Sequence, residues 1–589
     1  MNLHAVFHLL GQVLLLLAMF LLVPAGVALF YGEHGAWSAC LRSSAISGAL
    51  GMGLVHMVSK EIGTESEFRR AKKTLNTKRN LLLVCFSGMC ALFLGFLQWG
   101  SEADVLKLAE DLPSLAGLSS LQVLLAGQVA IILLALFALV HQLRHDTKRK
   151  ELAQKEFYRR EGLAVVGLSW LVAGIVGSLP FIFSGEIPHV VDAFFESVSG
   201  FTTTGSTILS AEGIDNMAMS IMFWRAFTHW LGGIGIVLVF VVLFPAGGRS
   251  LFRSEVPGVS REAVHQRVRD SGMGLMRVYV GLTLLQVVLY MFANLSLYEA
   301  LVHAFGTLAT GGFSSHSESM AYFRSPLVEG ITVAFMFAAG INFAIYDTVL
   351  RSGPKRGWRM MVQSSEVRLY AGAMAGSILV IAVVLWFWGG SNGASGSDLA
   401  DYTRFSSAFR DSAFVVSSVQ TSTGFGTADF DQWPHFARTL LMGLAFMGAC
   451  AGSTGGGLKV VRFMILAKSS LRSFQQFARP RAKLLVRMNG EPLHEDLVSS
   501  IVGYFGMWVL VFGAATLCLT AMDIDPLTAS TGVLATLNNI GPGLNLVGPT
   551  QSFGWMPDLG KILCSVLMLI GRLEFYAIVV LFLPRFWRI

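Results

Sequence analysis

Thr202-Thr203-Thr204-Gly205-Ser206 decides the reading of this chain, because it recurs. Leu308-Ala309-Thr310-Gly311-Gly312, Thr421-Ser422-Thr423-Gly424-Phe425 and Asn538-Asn539-Ile540-Gly541-Pro542 share its theme of small or polar residues, threonine and glycine. With Gly205, Gly311, Gly424 and Gly541 taken as equivalent, the copies stand 106 (311 − 205), 113 (424 − 311) and 117 (541 − 424) residues apart. Near-constant spacing over four copies marks a duplicated unit.

The surroundings repeat too. A long apolar segment comes first, followed by roughly a dozen residues, such as 189–200 or 405–419, too few to cross ~30 Å of hydrocarbon. That middle piece reads as a re-entrant half-helix. The glycine motif follows, then an acidic stretch and a second long helix returning to a basic connection. The repeats are expected at 161–250, 271–352, 369–470 and 498–589. Residues 1–160 read as about four further transmembrane helices, paired around the basic connection at 60–80. The expected fold is an all-α integral membrane protein: four helix–pore-loop–helix repeats around a pseudo-fourfold pore, preceded by those N-terminal helices.

Composition agrees with lipid as the main solvent. Of 589 residues 53% are apolar and 14% charged, and mean hydropathy is +0.60. A soluble chain of this length needs a larger charged surface. Segments 9–31, 81–99, 121–141, 163–183, 278–297, 371–388 and 501–522 are each long enough to span. No small-residue cleavage site follows the first of them, which reads as a retained helix. The six cysteines lack metal or redox spacing and read as packing residues.

The net charge of +7 is unevenly distributed. Lysine and arginine concentrate at 60–80, 144–160, 249–277, 351–368 and 468–487, whereas 101–114 carries Glu102, Asp104, Glu110 and Asp111 against Lys107. This is the positive-inside pattern; it puts both termini in the cytoplasm and points to a lipid bilayer, with no nucleic acid as partner.

A dehydrated monovalent cation needs oxygen dipoles in place of water, and backbone carbonyls supply them when the chain is held extended. Turning successive carbonyls one way calls for φ > 0, which glycine accepts cheaply. The preceding half-helix would aim the negative end of its dipole at the pore axis. The candidate filter residues are Thr203, Thr204 and Gly205; Ala309, Thr310 and Gly311; Ser422, Thr423 and Gly424; Asn539, Ile540 and Gly541. Glu196, Glu212, Asp215, Glu318, Asp429, Asp431, Asp523 and Asp525 either concentrate cations at the mouth or are ordinary solvated loop charges. No nucleophile–base set, phosphate loop or transition-metal cluster is evident, and His229, His303, His316 and His435 show no ligand spacing. The chain does not read as an enzyme.

These residues resemble the Trk/Ktr/HKT superfamily of potassium transporters, most closely the membrane subunit of bacterial Trk uptake systems. The resemblance runs from about Glu156 to the C-terminus. It rests on Ser199-Gly200-Phe201-Thr202-Thr203-Thr204-Gly205, Trp230-Leu231-Gly232-Gly233-Ile234-Gly235, Asn538-Asn539-Ile540-Gly541-Pro542-Gly543 and Gly571-Arg572-Leu573-Glu574. It implies a potassium-selective, channel-like translocator in a bacterial inner membrane, with K⁺ as the transported ion and no bound cofactor. It also implies a homodimer with a cytosolic nucleotide-binding regulatory subunit. In plant relatives serine at the first filter glycine accompanies sodium transport, so glycine at all four positions favours potassium. Two departures stand out. The family usually has two helices before its first repeat rather than four, and Ala309 replaces a commoner threonine.

Five glycines within 448–457 should break the second helix of the third repeat. Family members carry a pore-obstructing intramembrane loop there. The resemblance thus assigns a gate to Gly452, Ser453, Thr454, Gly455, Gly456, Gly457 and Lys459; a close helix crossing through small residues is the alternative. Arg572 lies mid-helix in an apolar segment, where a charge is expensive. It faces the aqueous path or the glycine loop, or else makes a structural salt bridge. Lys459 either joins the gate or snorkels to the cytoplasm. The rival to a channel-like pore is an ion-coupled secondary transporter (K⁺/H⁺ or K⁺/Na⁺ symport) using the same cation site. Such transporters usually show inverted repeats, and here the copies share one orientation.

Overall fold

A computed structural model of the chain describes residues 3–61, 159–243, 261–392, 402–482, 484–579, 581 and 586. The expected helix pair at 81–99 and 121–141 lies outside them. The chain forms two compact units, Met1–Val165 with Ile589 and Val166–Arg588.

In the first unit, helices α1 (Leu3–Phe20), α2 (Leu22–Tyr31) and α3 (His34–Glu61) follow one another. α1 and α3 run antiparallel at close range. Ser47 Oγ donates to the Leu14 carbonyl and Ser44 Oγ to the Ala18 carbonyl, both at 2.7 Å, and a Cβ on Gly11 would stand 2.8 Å from the Gly51 oxygen. Small and hydroxylated residues permit this approach where lipid supplies no hydrophobic drive between helices.

The second unit repeats one plan four times. The first copy is α4 (Arg159–Ser184), α5 (Val190–Phe201) and α6 (Met219–Leu243); the second is α7 (Arg261–Phe292), α8 (Leu297–Leu308), α9 (Pro326–Ala339) and α10 (Phe343–Ser352). After the connecting α11 (Pro354–Gln363), the third comprises α12 (Ser365–Asn392), α13 (Phe405–Gln420), α14 (His435–Phe446) and α15 (Val460–Ala478). The fourth is α16 (Glu495–Thr520), α17 (Pro526–Leu537) and α18 (Asp558–Val579). A two-residue hairpin, Arg487–Met488 with Glu491–Pro492, is the strand pairing among the described residues.

Five helices of the described residues are long and apolar enough to cross a membrane, within Val6–Tyr31, Glu161–Ser184, Gly272–Phe292, Ser365–Trp388 and Glu495–Thr520. The short second helices have 12, 12, 16 and 12 residues. At 1.5 Å per residue they reach only about 18–24 Å, so they enter without crossing. Side chains cap two of the four starts, whereas His189 before α5 and Arg404 before α13 make no such bond. Ser296 and Glu299 form a capping box on α8, and the Asp525 carboxylate accepts the Leu527 and Thr528 amides of α17 at 2.9 and 3.0 Å.

The second repeat corrects one expectation. Its second helix is not continuous: α9 and α10 meet at a 90° bend. Asn342 Oδ1 accepts the Ala344 amide and starts α10 afresh, while the Ala339 and Gly340 carbonyls are spent on 447–459.

Candidate ion pathway

All four short helices end in the same way. The amides of Thr203, Thr310, Ser422 and Asn539 donate three residues back, to Gly200, Thr307, Val419 and Thr536; those of Thr204, Gly311, Thr423 and Ile540 donate five back, to Ser199, Gly306, Ser418 and Ala535. This Schellman pairing needs a left-handed residue, usually glycine. Here it is Thr203 (φ 52°), Thr310 (55°), Ser422 (58°) and Asn539 (53°). Left-handed backbone at non-glycine residues costs about 1–3 kcal/mol each and survives only where surroundings impose it.

Two residues further on the chain turns left-handed again, at Gly205 (83°), Gly312 (78°), Gly424 (82°) and Gly541 (104°). The second loop is therefore shifted by one from the expected alignment. Gly312, not Gly311, matches the other three glycines, and the intervals become 107 (312 − 205) and 112 (424 − 312). Ala309 is the C-cap of α8, level with Thr202, Thr421 and Asn538. At that level the threonine hydroxyls turn back. Thr202 Oγ1 bonds the Val198 carbonyl and Thr204 Oγ1, and Thr421 Oγ1 bonds the Ser417 carbonyl and Thr423 Oγ1, each at 2.7 Å. Ala309 thus lacks a helix-end brace.

The loops close into a ring. A Cβ on Gly205 would overlap the Gly311 carbonyl oxygen, one on Gly312 the Thr423 oxygen, and one on Gly424 the Ile540 oxygen; one on Gly541 would sit 3.0 Å from the Thr204 oxygen. Each left-handed glycine therefore packs on the carbonyl that precedes its counterpart in the next loop, in the cyclic order first, second, third, fourth, first. Ser206 Oγ donates to the Gly541 carbonyl (2.9 Å) and Asn539 Nδ2 to Thr204 Oγ1 (2.8 Å), joining the fourth loop to the first.

Buried side chains behind the ring hold it. His229 Nδ1 lies 2.8 Å from the Gly200 carbonyl, and its Nε2 accepts the Phe313 amide at 3.3 Å, bridging the first two loops. Glu196 corrects both readings offered for it: it is neither a mouth charge nor a solvated loop charge but fully buried, 2.6 Å from Arg225 Nε. Its carboxylate also accepts Thr207 Oγ1 and the Ile208 amide. Spacing did not single out either pair, because each joins segments that only folding brings together. Gly232 and Gly571 let α6 and α18 reach the ends of α5 and α17: a Cβ on them would overlap the Phe201 and Leu537 carbonyl oxygens. His189, Asp192 and Asp558 converge at the start of α5, where Lys561 Nζ pairs with Asp192 Oδ1 at 2.6 Å.

Residues 447–459 lie against the C-terminal ends of α13 and α17. The Gly456 amide donates to Ser422 Oγ at 2.5 Å, a Cβ on Gly456 would overlap the Asn538 carbonyl, and one on Gly455 would lie 3.1 Å from the Thr421 oxygen. The loop is tied to the bend of the second repeat by Cys450 N–H to the Gly340 carbonyl and Phe343 N–H to the Gly452 carbonyl, both 3.0 Å. Lys459 does not snorkel; it is buried and donates to the Gly455 carbonyl. Buried Arg572 donates from Nη1 to the Thr454 carbonyl at 2.7 Å, and its Nε and Nη2 find no hydrogen-bond partner among the described residues.

The family model TrkH, described as a cation transport protein, matches residues 126–589. The chain belongs to the TrkH family. The Trk system potassium uptake protein TrkH of Salmonella typhimurium is 37% identical over 439 residues, 74% of this chain and 87% of that one. TrkG of Escherichia coli is 31% identical over 434 residues, 73% and 86% of the two chains. The crystal structure of the potassium transporter TrkH from Vibrio parahaemolyticus aligns over 100% of both chains with a TM-score of 0.74 and 28% identity. The expected Trk resemblance and all-α membrane fold are thus borne out, and the relatives of this TrkH-family chain are named transport proteins, not enzymes.

Proposed function

We propose that this TrkH-family chain carries potassium across the membrane as the channel-like subunit of a Trk-type uptake system. The observation that carries the reading is the closed cycle of glycine-on-carbonyl packing through Gly205, Gly312, Gly424 and Gly541. Four equivalent loops around one axis present neutral oxygens that can replace the hydration shell of a monovalent cation. The filter is Thr203, Thr204 and Gly205; Thr310, Gly311 and Gly312; Ser422, Thr423 and Gly424; Asn539, Ile540 and Gly541. The strained left-handed residues give it a fixed geometry, since relaxing any one would break the helix-end bonds behind it.

The 447–459 loop acts as the gate. Its packing on the Thr421 and Asn538 carbonyls supports a position directly beneath the filter, and Arg572 adds a positive charge that opposes cation passage. Opening requires the loop to leave the Ala339 and Gly340 carbonyls. The units at 161–250, 271–352, 369–470 and 498–589 form the four quadrants. The protein sits in a bacterial inner membrane with both termini on the cytoplasmic side, as a homodimer regulated by a cytosolic nucleotide-binding subunit.

Rb⁺ flux into liposomes holding the purified protein tests the reading. Flux should follow the electrical gradient without a second ion, and Gly205→Asp or Gly424→Asp should abolish it in protein that still elutes as a folded species. Unchanged K⁺/Na⁺ discrimination in both variants would sink the filter assignment. Flux that starts only with an imposed proton or sodium gradient would replace the channel with a symporter.

A further inference from the structure

The connection between the second and third repeats carries a feature that translocation does not use. In α11, Gly357 is the one buried residue; Lys355, Arg356, Trp358, Arg359 and Val362 are exposed, Trp358 to 65%. At 3.6 residues per turn Pro354, Trp358, Met361 and Val362 form one stripe, and Lys355, Arg356 and Arg359 occupy the neighbouring face. The span Ser365–Trp388 begins immediately after the helix ends at Gln363. α11 therefore sits where the chain enters the bilayer. An exposed apolar stripe flanked by cations suits neither bulk water nor hydrocarbon but fits the boundary between them.

The helix is also mechanically connected. A Cβ on Gly357 would overlap Val349 of α10, so α10 and α11 pack without slack there. The other end of α10 receives the 447–459 loop, through the Phe343 amide on the Gly452 carbonyl and Asn342 beside Gly452.

We propose that α11 is an interfacial helix that docks on anionic phospholipid headgroups through Lys355, Arg356 and Arg359, with Trp358 in the acyl boundary, and that α10 transmits this docking to the 447–459 loop. The second half rests on the gate reading above. Cations near a charged leaflet gain from it electrostatically, and an anchored α11 fixes the far end of the element to which the loop is bonded.

The full-length protein is reconstituted in vesicles of phosphatidylcholine alone and of an equal mixture with phosphatidylglycerol, with either lipid brominated. Trp358 is read as the difference between the unaltered protein and Trp358→Phe. Brominated phosphatidylglycerol should quench it preferentially, and each of Lys355→Gln, Arg356→Gln and Arg359→Gln should lower that preference about fivefold. Lys355→Arg and Arg359→Lys should keep it. Rb⁺ flux of the unaltered protein should differ between the two vesicles, and the triple glutamine variant should lose that difference. Equal quenching by both lipids, or preference retained in the triple variant, overturns the docking. Absent quenching together with cross-linking of Trp358→Cys to a second copy would make the face a protein interface. Preferential quenching with lipid-independent flux overturns the coupling to the loop. Preferential quenching without Rb⁺ flux in any vesicle counts against the pore reading and leaves the docking standing.

Discussion

Arg225 Nε donates to Glu196 Oε1 across 2.6 Å, with both side chains sealed from solvent. The pair reaches two loops at once. Arg225 Nη1 donates to the Ser314 carbonyl at 3.2 Å and its guanidinium lies 3.6 Å from the centre of the Phe313 ring, while Glu196 takes the Thr207 hydroxyl and Ile208 amide. Residues just beyond Gly205 and Gly312 are thereby fixed to one another from behind the ring.

Removing one partner leaves a buried charge unpaired, so Glu196→Ala or Arg225→Ala should each lose about 3–5 kcal/mol. Thermal melting of the detergent-solubilised protein checks this. A double replacement by apolar residues of similar volume should melt above either single variant. If the singles melt like the unaltered protein, the pair is not what holds these loops.

Gly312 and Gly311 should respond differently. Gly312 is left-handed and packed on backbone, so alanine there meets about 1–2 kcal/mol of conformational cost plus an overlap with the Thr423 carbonyl. Gly311 is not left-handed, and its added methyl would meet the side chain of His229 at 2.5 Å. Gly312→Ala should therefore lose Rb⁺ uptake as fully as Gly205→Ala. Trimming His229 should partly relieve Gly311→Ala and do nothing for Gly312→Ala. Relief of both would return the register to Gly311.

The four loops were legible because their signals are local: a glycine motif, a helix too short to cross, and near-constant spacing. The broken helix at 447–459 was legible for the same reason, five glycines in one turn-rich stretch. The second loop's register was not, since adjacent Gly311 and Gly312 satisfy the motif equally and only the helix-end bonds of α8 choose between them. Nor was the bend after Ala339. A lone Gly340 is compatible with a continuous helix, and it opens here because a distant loop takes the freed carbonyls. Glu196 read as a charge at the mouth or on a solvated loop because its partner, Arg225, lies on the next long helix.

Asp525 gives a pH-dependent outcome. The Thr528 hydroxyl bond, with help from the Leu527 and Thr528 amides and Asn545, holds its carboxyl below the ordinary value of 3.8. A depressed folded value means the stabilisation is complete above the unfolded value and disappears as pH falls through the folded one. Asp525→Ala should cost about 1 kcal/mol at neutral pH, and the gap should close in acid below the ordinary value. Asp525→Asn should keep most of the cap but show no such pH dependence. Melting of the three proteins against pH decides; a gap constant into acid would remove the carboxylate from the account.

Arg572 provides the sharpest test of the gate. Its guanidinium holds the Thr454 carbonyl with one nitrogen, and neither of the other two has a hydrogen-bond partner among the described residues. As a scale, two like unit charges about 10 Å apart at an effective dielectric near 20 repel by roughly 1.5 kcal/mol, or about tenfold in rate. Arg572→Gln keeps a donor for Thr454 and removes the charge, so Rb⁺ uptake by the chain alone should rise by about that factor. Arg572→Lys keeps the charge and should stay near the unaltered rate. Loss of the loop contact is the competing cause of any increase, and Thr454→Ala, which removes the hydroxyl bond to the Ala339 carbonyl and leaves Arg572 charged, shows what loosening the loop alone does. Flux that is unchanged or lower in folded Arg572→Gln would mean that the arginine braces the loop without forming a barrier.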